Sequence, residues 1–315
     1  ISQTNDNLLM FTTNGQIQFV NSNDFTNIKK IGSNLKNFNI YDILDIEVIN
    51  ANLYISFAKR LNTNSECQTV QIIKASVNTK KLIFENFFEI DKCLKGKTGG
   101  RMVHYFLDNI EGMLFSTGAY TEESNLAQDD NSLFGKILFI DFKEQNYEII
   151  SKGHRNPQGL LANDNIILST EHGPFGGDEI NKIVINGNYG WPIASYGENY
   201  TYDSLIKKDR NDYSFKKNHT DFNFNEPIYS FVPSIGISEI IKVPENFSKY
   251  WINNYLITSL NGRSLYRVLF DKSYSKIIYS EKIPIGERIR DIKFIPQNKF
   301  FYSGFGRIWI FGYLK

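Results

Sequence analysis

The sequence is poor in several things. Lys and Arg number 35 and Asp and Glu 34, so the formal net charge is only +1. A balance that close creates no long-range field, and it points away from nucleic acid or an anionic membrane surface as a partner. No run of about 18 apolar residues occurs, so no membrane-spanning helix is expected. Helical periodicity is almost absent, and no Pro/Ser-rich linker divides the chain. There are only two cysteines, Cys67 and Cys93. A start at Ile1 is what a processed or truncated precursor would show, with no signal peptide left to read.

What is abundant is aromatic and β-patterned. Aromatic residues make up 15% of the chain, with 25 Phe and 18 Tyr, and such residues favour a half-buried pleated surface. "NLLMFTTNGQIQFV" reads as a hairpin about Asn14-Gly15, a strong turn pair. Short strand-like runs follow: "LYISFAKR", "TVQIIKASV", "LIFENFFEI", "RMVHYFLDNIEGMLFSTG", "GKILFIDF", "NYEIISKG", "NIILSTEHG" and "NKIVING". The last third adds "NYLITSL", "RSLYRVLF", "KIIYSEKI", "RIRDIKFI", "FFYSGFG" and "RIWIFGYL". Regular short strands separated by Gly, Asn and Asp turns fit a sandwich, barrel or propeller. Sandwiches of about 100 residues would require three domains and linkers between them. An all-β, six-bladed β-propeller, at about 50 residues per blade, uses the whole chain 1–315 as one domain. The exception to the pattern is the irregular stretch around 195–227. It is too long for a simple connection and is placed to wall a site.

If "TVQIIKASV" and "LIFENFFEI" form a hairpin about residues 78–81, Cys67 falls almost opposite Cys93. A disulfide is expected there; two free thiols are the alternative. A disulfide implies an oxidising compartment, periplasmic or secreted.

"GHRNPQGL" interrupts the strand pattern. It is either a structural turn or a device that presents Arg155, Asn156 and Gln158 to something bound. Together with "EHGPFGGDEINKIVINGNYGWPIASYG" it resembles the signature of the soluble glucose/sorbosone dehydrogenase family. "AQDDNSLFGKILFID", "FVPSIG", "SLNGRSLYRVLFD" and "GERIRDIKFIPQNKFFYSGFGRIWIF" match in the expected order, from about residue 8 to the end. The resemblance implies a six-bladed propeller that holds pyrroloquinoline quinone (PQQ) and calcium and oxidises a small-molecule sugar, with an electron acceptor the residues do not name. PQQ is a planar tricarboxylate. Arg155 offers it a bidentate fork, and Asn156 and Gln158 offer neutral donors. Pro157 fixes the turn, and Gly159 permits close backbone approach. By the same resemblance His172 contacts the cofactor and Arg288 and Arg290 face its carboxylates. The two arginines lie two apart, so in a strand they share a face. Asn261 stands where relatives often carry a basic residue, which leaves that contact to Arg263. Gly173 and Pro174 would offer backbone oxygens to calcium. Asp178 and Glu179, with Tyr189 nearby, would make a second calcium site; solvated acidic residues are the plainer reading of that pair.

Two positions depart from the family pattern. The catalytic base, a His in relatives, is Lys97 in "KTGGRMV", and a protonated lysine accepts no proton. The Asp of a following Gly-Asp pair is replaced by Ala119. His104, in the neighbouring strand, reads as a packed residue. The residues therefore support two functions. One is a PQQ-dependent aldose or sugar-alcohol dehydrogenase with an altered base. The other is a non-catalytic propeller that binds a glycan, a cofactor or a protein partner.

Overall fold

The structure, a computed structural model, describes residues 2–4, 7–11, 17–21, 26–60, 67–77, 80–96, 99–120, 123–163, 166–198, 215–295, 300–304 and 308–312. Its strands form six sheets that follow one another along the chain, of five, five, five, four, four and three strands. The first holds Ser2–Thr4, Asn7–Phe11, Ile17–Asn21, Ile28–Ser33 and the short Lys81–Leu82. The second is built on Ile40–Ile49, Asn52–Arg60 and Cys67–Ser76, the last also pairing with Glu85–Glu89 and Leu94–Lys95. The third comprises Met102–Leu107, Ile110–Ser116, Lys136–Asp141, Tyr147–Lys152 and Gly187–Asn188. The fourth is Pro157–Asn163, Ile166–Glu171, Asp178–Ile183 and Tyr229–Phe231. The fifth is Ile237–Lys242, Tyr255–Ser259, Ser264–Phe270 and Ile277–Pro284, and the sixth Asp291–Ile295, Phe300–Gly304 and Ile308–Gly312.

The strand that opens each sheet lies beside the strand that opens the next. The series runs from Ser2–Thr4 against Ile40–Ile49 to Ile237–Lys242 against Asp291–Ile295. The sheets therefore radiate from a common line of inner strands, the arrangement of a β-propeller. Among the described residues no strand pairing joins the first sheet to the sixth.

Five apolar cores fill the spaces between consecutive sheets. Leu9 and Phe19 meet Ile55 and Phe57. Ile72 and Phe88 meet Phe115 and Leu138. Leu114 and Phe139 meet Leu160 and Ile167, Leu168 and Ile180 meet Ile257 and Val268, and Leu256 and Leu265 meet Ile289 and Ile292. Each fully buried side chain of this size stabilises the fold by about 1.5–3 kcal/mol. A middle strand is covered on both faces, which is why Lys136–Asp141 is buried along its whole length and reads as a continuous apolar run.

Three inner strands escape a reading by apolar alternation: Ile40–Ile49, Pro157–Asn163 and Ile237–Lys242. "GHRNPQGL" is thus a turn that runs directly into the innermost strand of the fourth sheet. Gly159 permits a close approach within the protein itself: a Cβ there would lie 2.5 Å from Ser238 O of the fifth sheet and 2.3 Å from Thr170 Oγ1 of its own. Gly159→Ala is expected to cost about 1–3 kcal/mol, read as a lower midpoint in urea unfolding; an unchanged midpoint would show that the two sheets separate freely.

Cys67 and Cys93 form a disulfide with a Cα separation of 5.5 Å. It joins the start of Cys67–Ser76 to the chain just before Leu94–Lys95, whose Lys95 pairs with Cys67. The bond closes a loop of 26 residues, and the chain-entropy account of such a loop gives about 3 kcal/mol. The Cys67→Ser/Cys93→Ser double variant should lose about that much in denaturant titration, and reduction of the native protein should reproduce the loss.

Candidate active site

The site is built at the heads of the inner strands, and its turn is held by one carboxylate. Glu171, at the end of Ile166–Glu171, accepts hydrogen bonds at Oε1 from the backbone amides of Arg155 and Asn156, the latter at 3.2 Å. Its Oε2 lies 3.0 Å from His154 Nδ1. His154 is fully buried, stacks on Tyr189 at 4.7 Å between centroids, and meets Ser151 Oγ at 2.8 Å through Nε2. Ala119 N donates to Arg155 O at 2.8 Å, and His172 N donates to Asn156 O at 3.1 Å. The backbone of the turn is thus fixed on both sides.

Arg155 is buried. Its Nη1 donates to His172 O at 2.9 Å, and its guanidinium lies 5.2 Å from the Trp191 ring centroid and 5.5 Å from that of Tyr120. Gln158 Nε2 donates to Asn156 Oδ1 at 3.0 Å, and Gln158 Oε1 accepts from Arg290 Nη1. Burial, then the charge of Arg101, lowers Arg290 to about 10, so it stays cationic at neutral pH. Arg288 is exposed, and its charge also acts on Arg290; Ile289 between them is fully buried. The pair sit just ahead of the strand Asp291–Ile295 and not within it, so the strand alternation expected to give them one face does not apply there. Burial pushes His172 down to about 4; Asp178 opposes the shift, while Arg290 and Arg155 add to it. The imidazole is therefore neutral. Its Nε2 is buried with no hydrogen-bond partner among the described residues.

Gly173 N donates to Asp178 Oδ1 at 3.1 Å, and Asp178 Oδ2 accepts from Ile235 N and Ile237 N, both at 2.9 Å. Asp178 thereby ties the loop 172–177 to the head of the fifth sheet. The loop is so tight that a Cβ on Gly173 would stand 2.1 Å from Gly177 O. Asp178 and Glu179 open the strand Asp178–Ile183. Glu179 is buried, and burial together with the Glu171 charge raises it well above the usual carboxylate range. Glu171 and Glu179 both line a cavity of about 10 Å³ behind Arg155, room for about one water-sized occupant.

Arg155, Asn156, Gln158, His172 and Arg290 thus converge, with Arg288 at the rim. Arg263 is exposed, and its carbonyl accepts from Ile285 N and Gly286 N on the chain leading to Arg288. Lys97 lies outside the described residues; two positions on, Gly99 N donates to Asn156 Oδ1 at 3.2 Å. Ala119 is fully buried, and its carbonyl accepts from Trp191 Nε1 at 2.6 Å. His104 is half-exposed, bonded to Glu111 at 2.9 Å and stacked on Phe142.

Arg101 was not anticipated. It is buried at the head of the third sheet. Its Nε donates to Gln158 O at 2.6 Å and its Nη2 to Arg290 O at 3.1 Å. Nη1 lies 3.2 Å from both Asp45 Oδ1 and Glu239 Oε2. A sequence signal for this network exists: Leu44-Asp45-Ile46, Ser238-Glu239-Ile240 and Arg290-Asp291-Ile292 repeat one acid-isoleucine step on three inner strands.

A family model described as glucose/sorbosone dehydrogenase matches residues 3–303. Aldose sugar dehydrogenase YliI of Escherichia coli (strain K12) is 28% identical over 217 residues, covering 64% of this chain and 55% of that protein. Quinoprotein glucose dehydrogenase B of Acinetobacter calcoaceticus is 26% identical over 239 residues, 58% of this chain and 50% of that protein. The chain thus spans about half the length of the curated relatives it matches. The structure of the PQQ-bound form of aldose sugar dehydrogenase from Streptomyces coelicolor matches with a TM-score of 0.68 at 18% identity, covering 96% of this chain and 86% of that one. At that identity the likeness establishes a shared fold.

Proposed function

The chain belongs to the glucose/sorbosone dehydrogenase family, and on that premise we propose that it binds PQQ at the heads of its inner strands and oxidises an aldose or related sugar alcohol. The observation that carries this reading is the convergence on His172 of Arg155, from the turn before the fourth sheet, and Arg290, from the head of the sixth. Two arginines, buried Arg155 and half-buried Arg290, approach an imidazole that is neutral and whose buried Nε2 has no partner among the described residues. A flat tricarboxylate with quinone oxygens fits such a donor set: the cations offset its charge and the amides and imidazole bond its rim.

In this reading Arg155, Asn156, Gln158, His172, Arg288 and Arg290 hold the cofactor, with Arg263 as an outer contact. PQQ supplies a two-electron acceptor. The residues of the chain supply charge and alignment: Arg155 and Arg290 stabilise negative charge that develops on the acceptor side, and the Glu171 clamp keeps Arg155 from moving. Proton removal from the sugar hydroxyl falls to Lys97 in its neutral form. Among the described residues no three His, Cys, Asp or Glu side chains cluster as metal ligands. A calcium ion beside the cofactor therefore rests chiefly on the backbone oxygens of Gly173 and Pro174. A second ion is read at the head of the strand Asp178–Ile183, where Glu179 lines the small cavity with Glu171 and Asp178 precedes it in sequence. The six sheets are read as the blades of one closed six-bladed propeller spanning 1–315, with the segment around 195–227 as an insertion walling the site. The disulfide supports a periplasmic or secreted location.

Ala119 favours a second reading, a non-catalytic propeller that binds a cofactor, glycan or protein. It sits directly against Arg155 and Trp191 and places an apolar methyl where the resemblance implies a carboxylate. One experiment separates the two. PQQ and calcium are added to the purified protein, and the quinone absorbance is followed. A stoichiometric shift, then bleaching by aldoses, is expected of the dehydrogenase; a shift without bleaching supports the binding module; no shift at all overturns the cofactor site.

A further inference from the structure

We infer that Arg101 is a positioning residue for the cofactor pocket: its one guanidinium grips the backbone carbonyls of Gln158 and Arg290 and so keeps their side chains paired across sheets that are not neighbours. The inference rests on the proposed function for its meaning, but the geometry stands on its own. Gln158 is in the fourth sheet and Arg290 heads the sixth, and the fifth lies between them. Their side-chain pair spans 132 positions in sequence. The guanidinium bonds Gln158 O at 2.6 Å and Arg290 O at 3.1 Å, and it is held in place by Asp45 of the second sheet and Glu239 of the fifth, each at 3.2 Å. Arg101 itself heads the third, so one planar group joins five of the six sheets at their common line.

The anchors are themselves fixed. Asp45 Oδ2 accepts from Met102 N at 2.8 Å and its Oδ1 from Ile46 N at 2.8 Å, while Glu239 Oε1 accepts from Ile240 N at 2.9 Å. Burial works against the Arg101 charge, but Glu239 and Asp45 more than offset it and hold the guanidinium charged. Only arginine presents several N–H donors in a rigid plane that meets two carbonyls and two carboxylates together; lysine is a compact point charge with three donors. Ser238 Oγ supplies a second grip on Arg290 O at 2.6 Å. Displacement of a binding group by about 1 Å can cost on the order of 10²-fold in rate, so the register of the Gln158–Arg290 pair matters beyond stability.

The test uses the full chain with Arg101→Lys and Ser238→Ala, each checked for folding by circular dichroism. In the protein without cofactor, amide hydrogen exchange should quicken in peptides covering 155–160 and 287–292, ahead of peptides from the outer strands. In the PQQ titration, Arg101→Lys should weaken affinity at least tenfold. In a Gln158→Ala background the same change should add little, because the two act as one unit. Unchanged exchange in both peptides overturns the inference whether or not PQQ binds. An Arg101→Lys loss that is fully additive with Gln158→Ala also overturns it, since that marks a merely stabilising residue. If Arg101→Lys does not fold, Ser238→Ala decides: faster exchange at 287–292 supports the inference and unaltered exchange sinks it. Absence of PQQ binding by the native protein, with the exchange result as expected, counts against the proposed function alone.

Discussion

Glu171→Ala is expected to cost about 3–5 kcal/mol, the usual penalty for removing one partner of a buried charged network. The carboxylate is buried and serves Arg155 N, Asn156 N and His154 at once. Alanine leaves the two amides without their acceptor and His154 without its carboxylate, in a space too small to admit much water. Hydrogen bonds to a charged group are worth about 1.5–3 kcal/mol each, and orphaned buried donors cost their full desolvation. Against a typical total stability of about 5–15 kcal/mol, the loss should be plain in guanidinium unfolding. It should also abolish a PQQ-dependent absorbance shift, because Arg155 and Asn156 lose the clamp that aims them. Glu171→Gln keeps the shape and one acceptor oxygen, so a smaller loss is expected. A Glu171→Ala protein with a stability change below about 1 kcal/mol would mean that the turn is set by the Ala119 and His172 backbone bonds instead.

The same residues show what the sequence carries and what it conceals. The outer and middle strands were legible because they are covered by neighbouring sheets, so their apolar residues recur in runs such as Ile137–Ile140. Three of the inner strands, Ile40–Ile49, Pro157–Asn163 and Ile237–Lys242, were not. Asp45, Gln158 and Glu239 occupy strands that approach the common line, where polar groups from different sheets satisfy one another. Read locally, each resembles a surface charge. Their burial is a property of the assembled sheets, and no window of one strand contains it. Arg155, Asn156 and Gln158 were legible for the opposite reason: a Pro-bearing polar turn stands out between two apolar runs. The meeting of His172 with Arg290 needed the family resemblance, since 118 positions of sequence separate them. Cys67 and Cys93 needed only the hairpin register, which the pairing of Gln71 with Glu89 and of Cys67 with Lys95 upholds. The short edge strands Lys81–Leu82, Leu94–Lys95 and Gly187–Asn188 are too brief for any periodicity to announce them.

Lys97→His is expected to raise PQQ-dependent sugar oxidation by about 10²–10⁴-fold, the range over which general-base catalysis typically acts. The position precedes Gly99 by two residues, and Gly99 N is bonded to Asn156 Oδ1, so this part of the chain is tied to the proposed cofactor turn. A lysine there must be neutral to accept the hydroxyl proton. Arg155 and a calcium ion would favour the neutral form by repulsion, but water reaching the mouth of the site screens that repulsion. An imidazole with an ordinary pKa near 6.5 is already neutral in most molecules at pH 7. Weak turnover is therefore expected of the native chain, and a marked gain of the histidine variant, read as kcat with a panel of aldoses at saturating PQQ and calcium. PQQ affinity should change little, since a general base acts on the sugar hydroxyl and not on the cofactor's carboxylates. A rise in kcat without a change in PQQ affinity would locate the defect in proton transfer. Brisk oxidation by the native chain that Lys97→His abolishes would instead make lysine the working base, its pKa lowered by the surrounding cations, and would remove the case for a degenerate site.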